Sequence, residues 1–388
     1  MKRIFCIVLT SLASLAVFSQ NGFIENNNQF SFKAYNLLKQ SNDNFVFSPY
    51  SMSSAIAMTS IGARNVTKSE IINTFGFSSN LIDLGTSYYK SQNSESKTKN
   101  LYNANSLWLD NTLKLNSYFI DFNSKYFSSA IKQTDFLKNV EESRLEINKW
   151  VETNTNNKIK DLLNSSSVDN TTRLVLVNAI YFKDSWKNKF IERNNFESEF
   201  QVSNRKKVST TFMVQNVNTW HYSTKNYAII DIPYSNNGYS LMIILPKSLK
   251  NLKKLEKDLG YDLYRNYLKN KEKKRVKLSI PKFNIESSYD LNKTLIKLGM
   301  KSAFGASADF TGITELERLY ISKVIHKANI NINEEGTEAA AATAVTMRKT
   351  STLPGQIDFH IDKPFIYILR NTNNNCIYFM GKIINPNE

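Results

Sequence analysis

The sequence predicts an α+β fold built as one large domain. Helical patterning dominates from about residue 26 to 170 and strand patterning from about 173 onward, without the regular alternation that a parallel α/β sheet requires. No stretch rich in Pro, Gly and Ser divides the chain, which holds only 12 Gly and 7 Pro in 388 residues, and no internal repeat is evident. The apolar share of 41%, with 24 Phe and 19 Tyr, supplies a large core and excludes global disorder.

The N-terminal MKRIFCIVLTSLASLAVFSQNG opens with Lys2 and Arg3 and continues with an apolar run from Ile4 to Phe18. Val17 and Ser19 are the small residues ahead of Gln20, the pattern of a signal peptide over 1–19. That run is shorter than the roughly 20 residues a spanning helix needs. The expected product is therefore a secreted, extracellular single domain over 20–388 with no membrane partner.

Within that domain FSFKAYNLLKQ has helical spacing, and SMSSAIAMTSIGA (51–63) reads as a deeply buried helix of small residues. LYNANSLWLD (101–110) reads as a strand, and VEESRLEINKWVETNTNNKIKDLL (140–163) as an amphipathic helix. Strands follow in RLVLVNAIYF, YAIIDIPY, YSLMIILP, RVKLSIPKFNIES and FIYILRN…CIYFMGKII, with helices expected near 251–268 and 290–300. One segment fits neither class. EEGTEAAAATAVTMRKTSTLPGQ (334–356) is helical by propensity, yet it has no apolar stripe to bury.

Function classes are narrowed mostly by what is missing. Without the leader only Cys376 remains, so no intrachain disulfide is possible, and its apolar surroundings suggest a buried structural thiol. The formal charge of +16 falls to +14 without Lys2 and Arg3, but an exported chain with no recognition motif is a poor nucleic-acid binder. The basic run KNKEKKRVK, Lys269 to Lys277, could attract a polyanion; a solvated loop between helix and strand is the simpler reading. The three histidines, His221, His326 and His360, form no metal-binding spacing. No nucleophile elbow or phosphate loop is present. No enzyme activity, metal or cofactor is expected.

Six segments in order resemble the serpin family of protease inhibitors: 44–63, 147–163, 174–190, 280–313, 324–344 and 359–386, nearly the whole mature chain. The resemblance implies a monomer of about nine helices and three β-sheets with an exposed reactive loop, here about 334–358. A target serine or cysteine protease would cleave that loop and form an acyl-enzyme. The loop would then insert into the main sheet and trap the protease. A binding or carrier member that does not inhibit is the alternative within the same resemblance.

The puzzling segment then has a physical reading as a strand in waiting. With period 2, Thr337, Ala339, Ala341, Thr343 and Val345 share one face, all uncharged and small enough to pass beneath covering helices. Glu338, Ala340, Ala342, Ala344 and Thr346 take the other face, with Glu338 as its only charge. Gly336 gives backbone freedom where the chain folds back. Glu334 to Thr343 (Glu334, Glu335, Gly336, Thr337, Glu338, Ala339, Ala340, Ala341, Ala342, Thr343) match the family's hinge.

By resemblance, Glu334 and Lys282 form a salt bridge at the breach beside Trp186. Ser48, Ser51, Asn178 and His326 form the polar shutter beneath the sheet. Two positions depart from the family's glycine, Asp184 and Asn157, and both residue types tolerate left-handed backbone. Family spacing places the scissile bond at Thr350–Ser351, which suits elastase-like enzymes. Lys349 and Arg348 remain alternatives for a trypsin-like one. Asn65, Asn164, Asn170 and Asn292 stand in glycosylation sequons.

Overall fold

The computed structural model describes residues 22–39, 43–93, 100–128, 130–236, 238–337 and 355–388. The described helices are α1 Gly22–Leu38, α2 Pro49–Ser60, α3 Asn65–Phe75, α4 Leu81–Asn93, α5 Ser117–Phe127, α6 Val140–Asn154, α7 Leu249–Asp258, α8 Tyr261–Asn270 and α9 Asn292–Leu298. The first eight strands are β1 Phe45–Phe47, β2 Leu101–Asp110, β3 Ala130–Thr134, β4 Leu174–Phe182, β5 Asp184–Ser185, β6 Phe196–Gln201, β7 Lys207–Ser223 and β8 Tyr227–Pro233. The remainder are β9 Tyr239–Pro246, β10 Glu272–Pro281, β11 Phe283–Asp290, β12 Lys323–Ile332, β13 Gly336–Thr337, β14 Ile357–His360, β15 Phe365–Asn371 and β16 Ile377–Ile383.

Local sequence explains the elements that frame the site. In α1 the stripe Phe23, Asn27, Phe30, Ala34, Tyr35 and Leu38 is buried, the spacing of one helical face. Every residue of α2 is buried, which is why it is built from Ser, Ala and Met. Pro49 sits in its first turn, and the Ser48 side chain caps it by accepting from the Ser51 N–H. All nine residues of β4 are buried, so it reads as a continuous apolar run. The face of β2, β4 and β12 away from the main core carries a second cluster, in which Ile147 and Val151 of α6 meet Trp108, Val175, Val177 and Ile325. Helix α6 thus lies over the middle of that sheet.

The three sheets expected are joined here into two hydrogen-bonded networks. One has seven strands, in order β3-β2-β4-β12-β13-β5 with β11 also on β12; the other has nine. The cause is β7, whose 17 residues bond β10 and β6 along most of its length and β8 through its last three pairs. This strand escaped sequence reading because Thr, Gln and Asn interrupt its apolar alternation. The single helix expected over 251–268 is two, α7 and α8, separated where Leu259 turns inward to burial and Gly260 begins α8. Cys376 is buried, as its setting suggested, and forms no disulfide among the described residues.

The nine-stranded network contains a buried ion pair. Arg370 on β15 donates from Nη2 to Asp231 Oδ2 on β8 at 2.6 Å, and Tyr267 of α8 donates to the same oxygen at 2.5 Å. Burial penalises both charges, yet each holds the other ionised: the Asp231 carboxyl lies below its ordinary range and the Arg370 guanidinium above. Arg370→Leu would strand a buried carboxylate and is expected to cost roughly 3–5 kcal/mol in urea unfolding. The double variant with Asp231→Leu should recover most of that loss. A single-variant loss below about 1 kcal/mol would contradict a desolvated pair.

Candidate functional site

The site is a closed seam with a wedge at one end. β4 and β12 pair directly in parallel through seven residue pairs, from Val175–Lys323 to Tyr181–Asn329. Beyond β12 the chain reverses at Asn333, whose Oδ1 accepts from the N–H groups of Glu335 at 3.0 Å and Gly336 at 3.2 Å. It then lays β13 between β12 and β5, with Thr337 opposite Ile332 on one side and Asp184 on the other. Gly336 has φ of +153°, and a Cβ there would stand 2.1 Å from the Asp184 carbonyl oxygen, so only glycine fits this turn. Thr337 is 1% exposed, and its hydroxyl meets the Tyr234 hydroxyl at 2.6 Å. This agrees with the inward face read from the period-2 pattern.

Register makes the wedge informative. The sequence offset between Ile332 and Asp184, which flank Thr337, equals that between His326 and Asn178, which pair across the seam. A strand continuing from Thr337 would therefore meet β4 and β12 in one common register without sliding either strand.

The breach residues assemble as the resemblance implies, with additional partners. Lys282 Nζ lies 2.5 Å from Glu334 Oε1, and Asn195 donates to the same oxygen at 2.5 Å. Burial alone would raise the Glu334 pKa; these two hydrogen bonds outweigh it and hold the carboxyl below its ordinary range. Glu335 pairs with Lys189 at 2.5 Å. Trp186 is buried and stacks on Tyr234 with centroids 4.5 Å apart, and it donates from Nε1 to the Asn333 carbonyl at 2.8 Å. Its backbone N–H donates to the Glu335 carbonyl at 2.9 Å, so Trp186 holds the turn at both ends, by its indole at Asn333 and by its backbone at Glu335. Sequence reasoning missed Tyr234, Asn195 and Lys189; only sheet register brings them here.

The shutter is partly as expected. Ser48 donates its backbone N–H to His326 Nε2 at 2.9 Å, which assigns the imidazole proton to Nδ1. Ser51 donates to Asn105 Oδ1 at 2.6 Å, and Asn105 returns a bond to the Ser51 carbonyl at 3.2 Å. Asn105 was not foreseen; it belongs because β2 pairs Asn105 with Asn178. The Asn178 side chain lies in the cluster by register, but both its polar atoms are buried without a partner among the described residues. Such an amide is costly in this state and is available to a new partner in another.

Burial pushes the His326 pKa down to about 3, against a smaller upward pull from the Asn178 backbone. Between that value and the ordinary 6.5 the unfolded chain binds a proton that the folded one refuses, so stability rises with pH. The contribution is complete above about pH 6.5 and falls by about 1.4 kcal/mol per unit as pH drops toward 3. Urea midpoints measured from pH 7 to 4 should show this slope, and His326→Gln should flatten it. An equal slope in both proteins would remove the assignment.

Other expectations are corrected. Of the two positions that depart from the family's glycine, Asp184 is extended in β5, buried, and accepts from the Ser235 hydroxyl at 2.9 Å, while burial raises its pKa. Asn157 does take the left-handed conformation, with φ of 58°. The run Lys269–Lys277 is no solvated loop but the end of α8 and the start of β10, where Lys271 lies 3.9 Å from Asp231 and Lys274 2.7 Å from Glu272. Of the sequons, Asn164 and Asn170 are exposed, whereas the Asn292 amide donates to the Ser322 carbonyl at 2.8 Å. Glu338 to Thr343, the Thr350–Ser351 bond and its alternatives Lys349 and Arg348 lie outside the described residues, as does the segment 1–19 expected to be a signal peptide.

A family model for Serpin (serine protease inhibitor) matches residues 25–386. The chain belongs to the serpin family. Among relatives, this serpin is 33% identical to human Serpin B4, over 94% of its own length and all of the relative's. It is 34% identical to the leukocyte elastase inhibitor of Sus scrofa, covering 93% of itself and 98% of that protein. Among solved structures it is similar to human thyroxine-binding globulin complexed with thyroxine, at TM-score 0.86 and 29% identity, covering 95% of this serpin and all of that chain.

Proposed function

We propose that this serpin is a secreted suicide-substrate inhibitor of serine or cysteine endopeptidases. Its loop is cut near Thr350–Ser351 and inserts between β4 and β12. The observation that carries this reading is the wedge: Gly336 and Thr337 already sit between β12 and β5 in the register of the closed seam. The residues that follow, through Thr346, include no charge after Glu338, no proline and no bulky side chain. Insertion would also set a backbone and a threonine, Thr343, between the unpaired Asn178 amide and His326.

The test is incubation with an elastase, a trypsin and a papain-like cysteine protease, followed by denaturing gel electrophoresis. A covalent complex supports trapping, and mass spectrometry of the released C-terminal peptide identifies the bait residue. A first residue of Ser351 supports Thr350, whereas Thr350 or Lys349 shifts the bait to Lys349 or Arg348. N-terminal sequencing of the exported protein tests cleavage before Gln20.

The second reading is a non-inhibitory carrier, favoured by the similarity to thyroxine-binding globulin. Clean loop cleavage by every protease, with full recovery of protease activity, would decide for it. A polyanion bound through Lys269–Lys277 is an accessory to the inhibitory reading and is tested below.

A further inference from the structure

The strands that receive the C-terminal end of the reactive loop present an unbalanced outer face. β14 pairs in parallel with β10, and β10 antiparallel with β7, so directly opposed residues share a face. Val276, Leu278 and Ile280 of β10 are buried on one side. On the other side lie Lys273, Arg275 and Lys277, opposite Trp220, Asn218 and Asn216 of β7. Successive cations on the strand are about 6.7 Å apart. The carboxylate that these three strands add to this face is Asp358, beside Lys277. Glu272 points to the opposite face by parity and is paired with Lys274. Arg275 is exposed, and neither it nor Lys277 has an ion pair among the described residues.

Aromatic side chains bound the cations at both ends. Trp220 is 37% exposed, with Lys271 Nζ 4.9 Å and Lys273 Nζ 5.3 Å from its ring centroid. At the far end Phe196, 40% exposed, stacks on Phe212, and His360 lies against both rings. Aromatic and arginine side chains around a neutral amide floor are the composition of a protein-binding patch. Phe196 packs on the buried Phe212 with one side of its ring, and both it and Trp220 leave a large part of their apolar surface in solvent.

Chain length indicates what reaches this face. The bond read as bait precedes Ile357 by six residues, which span at most about 20 Å. β14 is the terminal strand of its sheet and β10 is its neighbour. A protease engaged on the loop is therefore tethered within reach of Lys277 and Arg275. We infer that this face is an exosite for the target protease, and that the target carries an acidic surface beside its substrate cleft. The inference rests on the inhibitory reading. Opposite charges would steer the encounter, raising the association rate more than the final stability of the complex.

The test uses full-length protein in a Thr350→Arg background, which gives any trypsin the cation its primary pocket prefers. Second-order inhibition rates are measured with an anionic and a cationic trypsin across ionic strengths. The anionic enzyme should be inhibited roughly tenfold faster at low salt and lose that advantage as salt rises. Arg275→Glu/Lys277→Glu should remove the advantage and leave the cationic rate unchanged or raised. Both residues are on the surface, and an unchanged melting curve would verify folding.

Equal salt dependence for the two trypsins, or an advantage that survives charge reversal, would overturn the exosite. If heparin accelerates both trypsins, and does so only with Arg275 and Lys277 present, the face belongs to a polyanion instead. If neither trypsin forms a covalent complex, the inhibitory reading fails and the exosite falls with it.

Discussion

Thr337→Arg is expected to abolish covalent trapping while leaving the loop fully cleavable. Thr337 is the last described residue before the bait segment, 1% exposed, and held between β12 and β5 with its hydroxyl on Tyr234. A guanidinium at that point is too long for the space and costs several kcal/mol to bury, so the intact variant is expected to release the wedge and to meet that cost only when the strand inserts. In the proposed mechanism insertion competes with hydrolysis of the acyl-enzyme, and each 1.36 kcal/mol added to its barrier slows it about tenfold. The stoichiometry of cleaved serpin per trapped protease should therefore rise by more than tenfold. Thr337→Glu should act by a second route, setting a carboxylate opposite the buried Asp184. Thr337→Ser keeps the hydroxyl and should still trap. Undiminished complex formation by the arginine variant on a denaturing gel would refute the inward face assigned to this position.

Position 337 also shows what sequence alone could convey. Its inward face follows from period 2 and the uncharged, small residues that share its parity, and the need for backbone freedom at Gly336 was read from the fold-back, whereas the lack of room for a Cβ there is seen only in the structure. β4 was legible as a continuous apolar run, all nine residues of which are buried, and Lys282, Glu334 and Trp186 only through the family resemblance. What was not legible depends on which distant strands lie side by side. Asn105 enters the shutter through the pairing of β2 with β4, and Tyr234 reaches Thr337 through its bridge to Trp186. No local signal marks either residue. The extended backbone of Asp184 was not legible either, because it is set by pairing with β13 on its flank. The two-network sheet arrangement was hidden because β7 mixes Thr, Gln and Asn into a strand that serves two neighbours.

Cleavage of the loop is expected to raise the melting temperature by roughly 15 °C or more, a change no point substitution should match. In the intact chain β4 and β12 share one parallel ladder of seven pairs, and β13 is two residues long. A severed loop continuing from Thr337 in the same register would replace that ladder with two antiparallel ones. At about 1 kcal/mol net per added backbone hydrogen bond, ten to fifteen new bonds give roughly 10–15 kcal/mol. An unfolding entropy near 2.1 cal/mol/K per residue over some 370 residues converts this to the stated shift. The partnerless Asn178 amide would gain partners in the same step. On the proposed mechanism the intact form would persist because the seam must part beneath Ile147 and Val151 of α6, protected by a barrier and not by its depth. Calorimetry of intact and loop-cleaved protein measures the difference directly. Cleaved Thr337→Arg should gain far less, because the strand cannot start. Coincident melting of intact and cleaved wild-type protein would mean that the wedge at Thr337 is a static turn, and that the seam between β4 and β12 does not open.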